Sequence, residues 1–151
     1  MKDFDEKEDR LWRNLMRLNG ALPRLLEQDL VRGAGLSLSE FAILLVLTEA
    51  GAAGRRMSDL AYAGRLSPSR ATRVVAELER RGLVEKSQSE SDARGNVAVA
   101  TAAGRKAFRS AYPIQVKRAR EILFDHLTPT EVAGLADALS ELLRRVSAAE
   151  R

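Results

Sequence analysis

Cysteine is absent from the 151 residues, and histidine occurs once, at His126. The first absence excludes disulfides, thiolate metal sites and thiol-based redox sensing. The second leaves any zinc site dependent on an unusual set of carboxylates. Aromatic residues are scarce at 5%, with a single tryptophan, Trp12. Long apolar runs are also missing: the stretch from Phe41 to Leu47 is far shorter than a membrane span requires. The opening MKDFDEKEDR is charged and lacks the apolar centre of a signal peptide. A cytoplasmic protein without membrane association is expected. No glycine-rich phosphate loop and no recognisable pair of catalytic carboxylates is present, so neither an enzyme nor a cofactor or metal is expected.

What is present is enough apolar material for a core, 45% of the chain, and an uneven charge distribution. The net charge is only +4. From Gly54 to Arg120, however, 15 lysines and arginines face 6 acidic residues, whereas the remainder holds 10 against 15. A basic middle between acidic ends is the footprint of a surface that meets a polyanion.

Hydrophobic spacing orders the chain into helices around one hairpin. Leu11, Leu15, Leu18, Leu22, Leu25, Leu26 and Leu30 recur at steps of three and four, which predicts a long amphipathic first helix. Pro23 is expected to interrupt or bend it, and Gly33 and Gly35 to end it. A second helix over Leu38–Ala50 takes Ser39 as its candidate N-cap, with Phe41, Leu44, Leu45 and Thr48 on its inner face. A short helix spans about 58–64 and a tight turn at Arg65-Leu66 follows. Ser67 then caps a helix with Pro68 at its first position, where a missing N–H costs nothing.

In that helix Ala71, Val74, Val75 and Leu78 share one face. Ser69, Arg73, Ala76 and Arg80 point the opposite way, flanked by Arg70 and Thr72. Val84–Ser87 and Asn96–Thr101 read as two strands joined by a polar connection. Helical spacing resumes over 102–127, with Pro113 expected to kink or divide it. His126 falls at the end of that helix, favourably placed beside the C-terminal dipole. Thr128-Pro129-Thr130-Glu131 is a capping box, and Val132, Leu135, Leu139, Leu142 and Val146 form a narrow seam suited to helix–helix packing.

Two short helices in tandem followed by a hairpin define a winged helix-turn-helix. The fold class is mainly α with a small β-hairpin wing. A helical dimerisation region from the N- and C-terminal helices, residues 1–36 and 105–151, flanks a DNA-binding domain at 37–104. A helix fits the major groove, where base edges carry distinguishable patterns, and its N-terminal residues reach them. Ser67 and the small Ser69 and Thr72 allow close approach, while Arg70 and Arg73 supply donors. A hairpin tip can reach the neighbouring minor groove.

The stretch LSPSRATRVVAELERRGLVEK, Leu66 to Lys86, resembles the recognition helix and first wing strand of MarR-family regulators. SDARGNVAVATAAGRKA resembles that family's wing: Asp92, Arg94, Val97, Thr101 and Gly104 fall in register with its D-x-R, strand and T-x-x-G pattern. Ala100 stands where leucine is usual. The resemblance implies a homodimer that represses pseudo-palindromic promoters on double-stranded DNA. It further implies that Arg94 enters the minor groove with Asp92 orienting its guanidinium. Many family members release DNA on binding a small aromatic or anionic ligand. Trp12 is the candidate ligand contact, with interface packing as the plainer role for a large aromatic. The rival to DNA binding is a winged-helix module that docks another protein; an arginine-rich exterior without a large apolar patch favours DNA.

Overall fold

A computed structural model describes residues 3–89 and 92–149, without the side chains of 87–96 and 149. Helix α1 spans Glu6–Ala34, α2 Leu38–Ala50, α3 Met57–Ala63 and α4 Pro68–Arg80. Strand β1 is the pair Arg55–Arg56, β2 is Val84–Ser89 and β3 is Asp92–Ala100. Helix α5 covers Ala102–Ile122 and α6 covers Pro129–Ala149. Two compact units result, Met1–Gln115 and Val116–Arg151. The fold is that expected, mainly helical with a small winged sheet.

In the first unit, α1 begins at a capping box: the Asp5 carboxylate accepts from the N–H groups of Lys7 and Glu8, and the Glu8 carboxylate accepts from the Asp5 N–H. The helix runs unbroken for 29 residues, Pro23 included, contrary to the expected interruption. Proline removes one donor, and both Pro23 and Asn19, whose carbonyl loses its partner, are exposed to water. The same holds for α5, which passes through the exposed Pro113 undivided but stops at Ile122. A single 3-10 turn, Phe124–His126, takes the place of the expected continuation. His126 sits at that end, its Nε2 2.9 Å from the Glu121 carbonyl.

Helix α2 is capped by Ser37, not Ser39. The Ser37 hydroxyl accepts from the Glu40 N–H at 3.2 Å, and the Glu40 carboxylate accepts from the Ser37 N–H at 2.7 Å. The reciprocal pair satisfies two orphan donors, which a cap at Ser39 could not match. Its burial is not confined to one face either. Phe41, Ile43, Leu44 and Leu47 are all buried, because α2 is the centre of the winged region. Leu30 of α1, Leu60 of α3, Val75 and Leu78 of α4, Val84 of β2 and Phe108 and Ala111 of α5 complete one core with it. The Phe41 and Phe108 rings lie 5.3 Å apart.

The sheet has the order β1-β3-β2 and is antiparallel throughout. Val84 pairs with Ala100 and Lys86 with Ala98, while Arg55 joins Ala98 from the other side. Both wing strands extend further than the apolar pattern suggested, since ladder hydrogen bonds need no apolar side chain. Behind the sheet, Thr101 and Gly104 explain the T-x-x-G pattern. The Thr101 hydroxyl donates to the Gly82 carbonyl at 2.8 Å and accepts from the Gly104 N–H at 3.0 Å. A Cβ on Gly104 would collide with the Leu83 carbonyl. The start of α5 is thereby pinned to the turn that ends α4.

The second unit is dominated by α6. Thr128 caps it as expected: its N–H and hydroxyl both donate to the Glu131 carboxylate at 2.8 Å, and the hydroxyl accepts from the Glu131 N–H at 3.3 Å. These bonds, the backbone one first, hold the Glu131 carboxyl below its ordinary range. No described side chain of α6 is buried. Leu135, Leu139, Leu142 and Val146 are each about half exposed (46–51%). Among the described residues no single helix is long and apolar enough to cross a membrane.

Candidate nucleic-acid interface

The junction from α3 to α4 is built by two helix ends of the same kind. At the end of α3, the Arg65 N–H bonds the Tyr62 carbonyl and the Leu66 N–H bonds the Ala61 carbonyl. At the end of α4, Gly82 and Leu83 make the equivalent bonds to Glu79 and Leu78. Both are Schellman motifs, which place the residue after the helix in the left-handed region. Gly82 meets that demand at φ 68°, whereas Arg65 adopts φ 51° as the one described non-glycine residue with positive φ. The turn leads into Ser67, whose hydroxyl accepts from the Arg70 N–H at 3.3 Å, and Pro68 opens α4.

Ala71, Val75 and Leu78 bury the inner face of α4. Ser67, Ser69, Arg70, Thr72 and Arg73 are all exposed along its first two turns, so the expected reading residues come together on one accessible surface. They differ in how they are engaged. Arg70 donates from one guanidinium nitrogen to the Ser39 hydroxyl at 3.0 Å, bridging to the start of α2. Arg80 makes two bonds to Glu77, at 2.6 and 3.0 Å. The Arg80 hydrogen bond and its charge hold the Glu77 carboxyl below its usual range and raise the Arg80 guanidinium in turn. Arg81 reaches the buried Glu40 at 2.8 Å and the Gly35 carbonyl at 3.1 Å. Lys86 pairs with Glu79 at 2.8 Å. Among the described residues, Arg73 has no side-chain partner. It borders an open groove of about 480 Å³ lined also by Ser37, Glu40, Arg70, Val74 and Glu77.

The backbone of Asp92 and Arg94 belongs to β3, and Asp92 pairs with Ser89 near the hairpin tip. Their side chains lie outside the described residues. Arg55 and Arg56 are exposed on β1, a strand the sequence reading missed because two residues carry no alternation. Trp12 is half exposed near the start of α1, its ring 6.4 Å from that of Phe4. Sequence reasoning also missed the part played by Ser39 and Glu40. The Ser37–Glu40 capping-box spacing was the available signal: it leaves the Ser39 hydroxyl free to hold Arg70.

A helical triad around a buried core, with arginines on its last helix and a hairpin beside it, is the winged helix-turn-helix class of DNA-binding domain. The MarR family model matches residues 36–95. The uncharacterized HTH-type transcriptional regulator YfiV of Bacillus subtilis is 30% identical over 119 residues, covering 77% of this chain and 71% of that protein. AbsC, a MarR family transcriptional regulator from Streptomyces coelicolor, matches with a TM-score of 0.88 at 32% identity, over 98% of this chain and 99% of its own. Sco3205 from the same organism, solved in complex with DNA, matches with a TM-score of 0.84 at 30% identity, over 97% and 89%. The chain belongs to the MarR family of DNA-binding transcriptional regulators.

Proposed function

We propose that the protein is a homodimeric, sequence-specific repressor that binds pseudo-palindromic promoter DNA. The observation that carries the DNA reading is the exposed start of α4. There Arg73 is exposed and unpartnered among the described residues, while Arg70, Arg80 and Arg81 are held by internal partners. A guanidinium with all its donors available suits bidentate bonding to guanine O6 and N7. Arg70 contributes by holding the start of α4 to α2 through Ser39. Arg65 meets a phosphate, and Arg94 enters the minor groove, oriented by Asp92.

The dimer is supported by the apolar surface left without a partner. Leu135, Leu139, Leu142 and Val146 of α6 and Leu11, Trp12, Met16 and Leu18 of α1 are all exposed. Exposed apolar stripes at helical spacing require a covering surface, and a second copy supplies the same stripes under twofold symmetry. The region 1–36 with 105–151 then joins protomers, and each winged domain at 37–104 faces one half-site, with centres about one helical turn apart. Control by a small aromatic or anionic ligand belongs to the same reading. The half-exposed Trp12–Phe4 pair offers such a molecule an aromatic surface.

A salt-titrated gel shift on the gene's own upstream region tests the proposal. Binding should weaken steeply with salt as condensed counterions are released. Arg73→Ala should relax base preference at one position per half-site, by about 1–3 kcal/mol. An Arg73→Ala protein with unaltered sequence preference would remove that residue from the readout, and indifference of the wild type to its upstream region at low salt would remove the function.

A further inference from the structure

We infer that Thr72 and Ala76 read the 5-methyl group of thymine, so that the half-site carries a thymine beside the base met by Arg73. The inference rests on the DNA-binding reading above and specifies what α4 recognises. Thr72 and Ala76 lie one turn apart and therefore side by side on the exposed face of α4. The Thr72 hydroxyl donates to the Pro68 carbonyl at 3.0 Å, one turn back in the same helix. Its hydrogen is thus engaged within the helix, and the side chain offers the groove a methyl and a lone pair instead of a donor. Ala76 offers a methyl alone. Around them the charged groups are tied elsewhere, Arg70 to Ser39, Arg80 to Glu77 and Glu79 to Lys86.

The result is a small apolar step, flanked by one available guanidinium. In the major groove only thymine among the four bases carries a methyl, and Ala and Thr methyls are its apolar counterparts. A purine edge at the same place would turn the N7 acceptor towards a methyl and lose its water without gaining a donor. Cytosine can donate its N4–H to the Thr72 lone pair but leaves a gap where the thymine methyl fits.

The test uses the full-length protein and a duplex that it selects from a randomised pool. Each thymine of that duplex is replaced in turn by deoxyuridine, which lacks only the methyl. Wild-type protein should lose about fourfold in affinity at one or two positions per half-site, the scale of one buried methyl group. T72S keeps the hydroxyl that bonds Pro68 and lacks the methyl. It should bind the thymine duplex about as weakly as wild type binds the deoxyuridine duplex and be indifferent to the exchange at one position. Equal thermal unfolding of T72S and wild type checks that the fold is intact. If wild type binds every deoxyuridine duplex as tightly as the parent, or T72S retains the full discrimination, the methyl reading is overturned while the DNA-binding function stands. If no sequence is selected from the pool, both fall together.

Discussion

Leu78 and Leu139 are the same side chain, each placed by helical spacing on an apolar stripe, yet their surroundings are opposite. Leu78 is fully buried in the core of the winged region, whereas Leu139 is 48% exposed on a helix with no buried described side chain. The winged region closes its core with residues of its own chain, from Leu30 to Ala111. The stripe on α6 is as regular but has no such closure. Periodicity therefore announces that a face will be covered, and says nothing of whether the cover comes from the same chain.

The largest effect should come from breaking the second stripe. Leu139→Asp should separate the protomers without unfolding the winged region. Loss of bivalent binding should lower DNA affinity by about 10²–10⁴-fold, read by sedimentation and gel shift together. Helical circular dichroism should persist; a mutant that stays dimeric would place the interface elsewhere.

In the winged region, Leu78→Ala should cost about 2–5 kcal/mol of stability, as cavities in closed cores do. Its penalty in urea unfolding should be the same at every protein concentration. Leu139→Ala should instead give a melting temperature that falls on dilution, since its partner is another molecule. Matching concentration dependence in the two variants would erase the distinction between the stripes.

A smaller effect is expected where the winged region itself departs from its own rule. Arg65 and Gly82 end successive helices in the same left-handed conformation, and only one is glycine. Arg65→Gly should relieve roughly 1 kcal/mol of backbone strain and raise the unfolding midpoint. It should also weaken binding by a similar factor on all sequences and reduce the salt slope by about one, the mark of a lost phosphate contact. Stabilisation without any change in the salt slope would leave Arg65 a purely structural oddity.

The smallest effect concerns the cap of α6. The Glu131 carboxyl sits below its ordinary range in the folded chain because Thr128 donates to it twice. The folded state thus binds fewer protons than the unfolded one across that window. The cap's contribution is whole above the ordinary carboxylate pKa and is lost as pH falls through the lowered value. Glu131→Gln should flatten this acid limb of the stability profile; an unchanged limb would assign it to other carboxylates.

Much of the fold was legible because its signals are local. Ser67-Pro68, the apolar positions of α4 and the Thr128–Glu131 box each lie within one or two turns, and each appears where expected. The T-x-x-G pattern was visible, although its cause, the approach of Gly104 to the Leu83 carbonyl, required the fold. What escaped was non-local or too short to carry a pattern. The Arg70–Ser39 bond joins residues 31 apart, and the Arg81–Glu40 bond residues 41 apart. Strand β1 has two residues. Helix α2 is apolar at most positions, so its spacing could not select a single inner face. The two prolines were over-read, since an exposed carbonyl tolerates the loss of its donor.

The central claim is that two chains joined by their end helices present two copies of α4 to one duplex. The mass of the protein–DNA complex, measured by sedimentation with protein limiting over the gene's upstream duplex, tests it most directly. Two 16.6 kDa chains per duplex are expected even at the lowest protein concentration. A complex holding one chain, with the free protein likewise a single chain, would contradict the account.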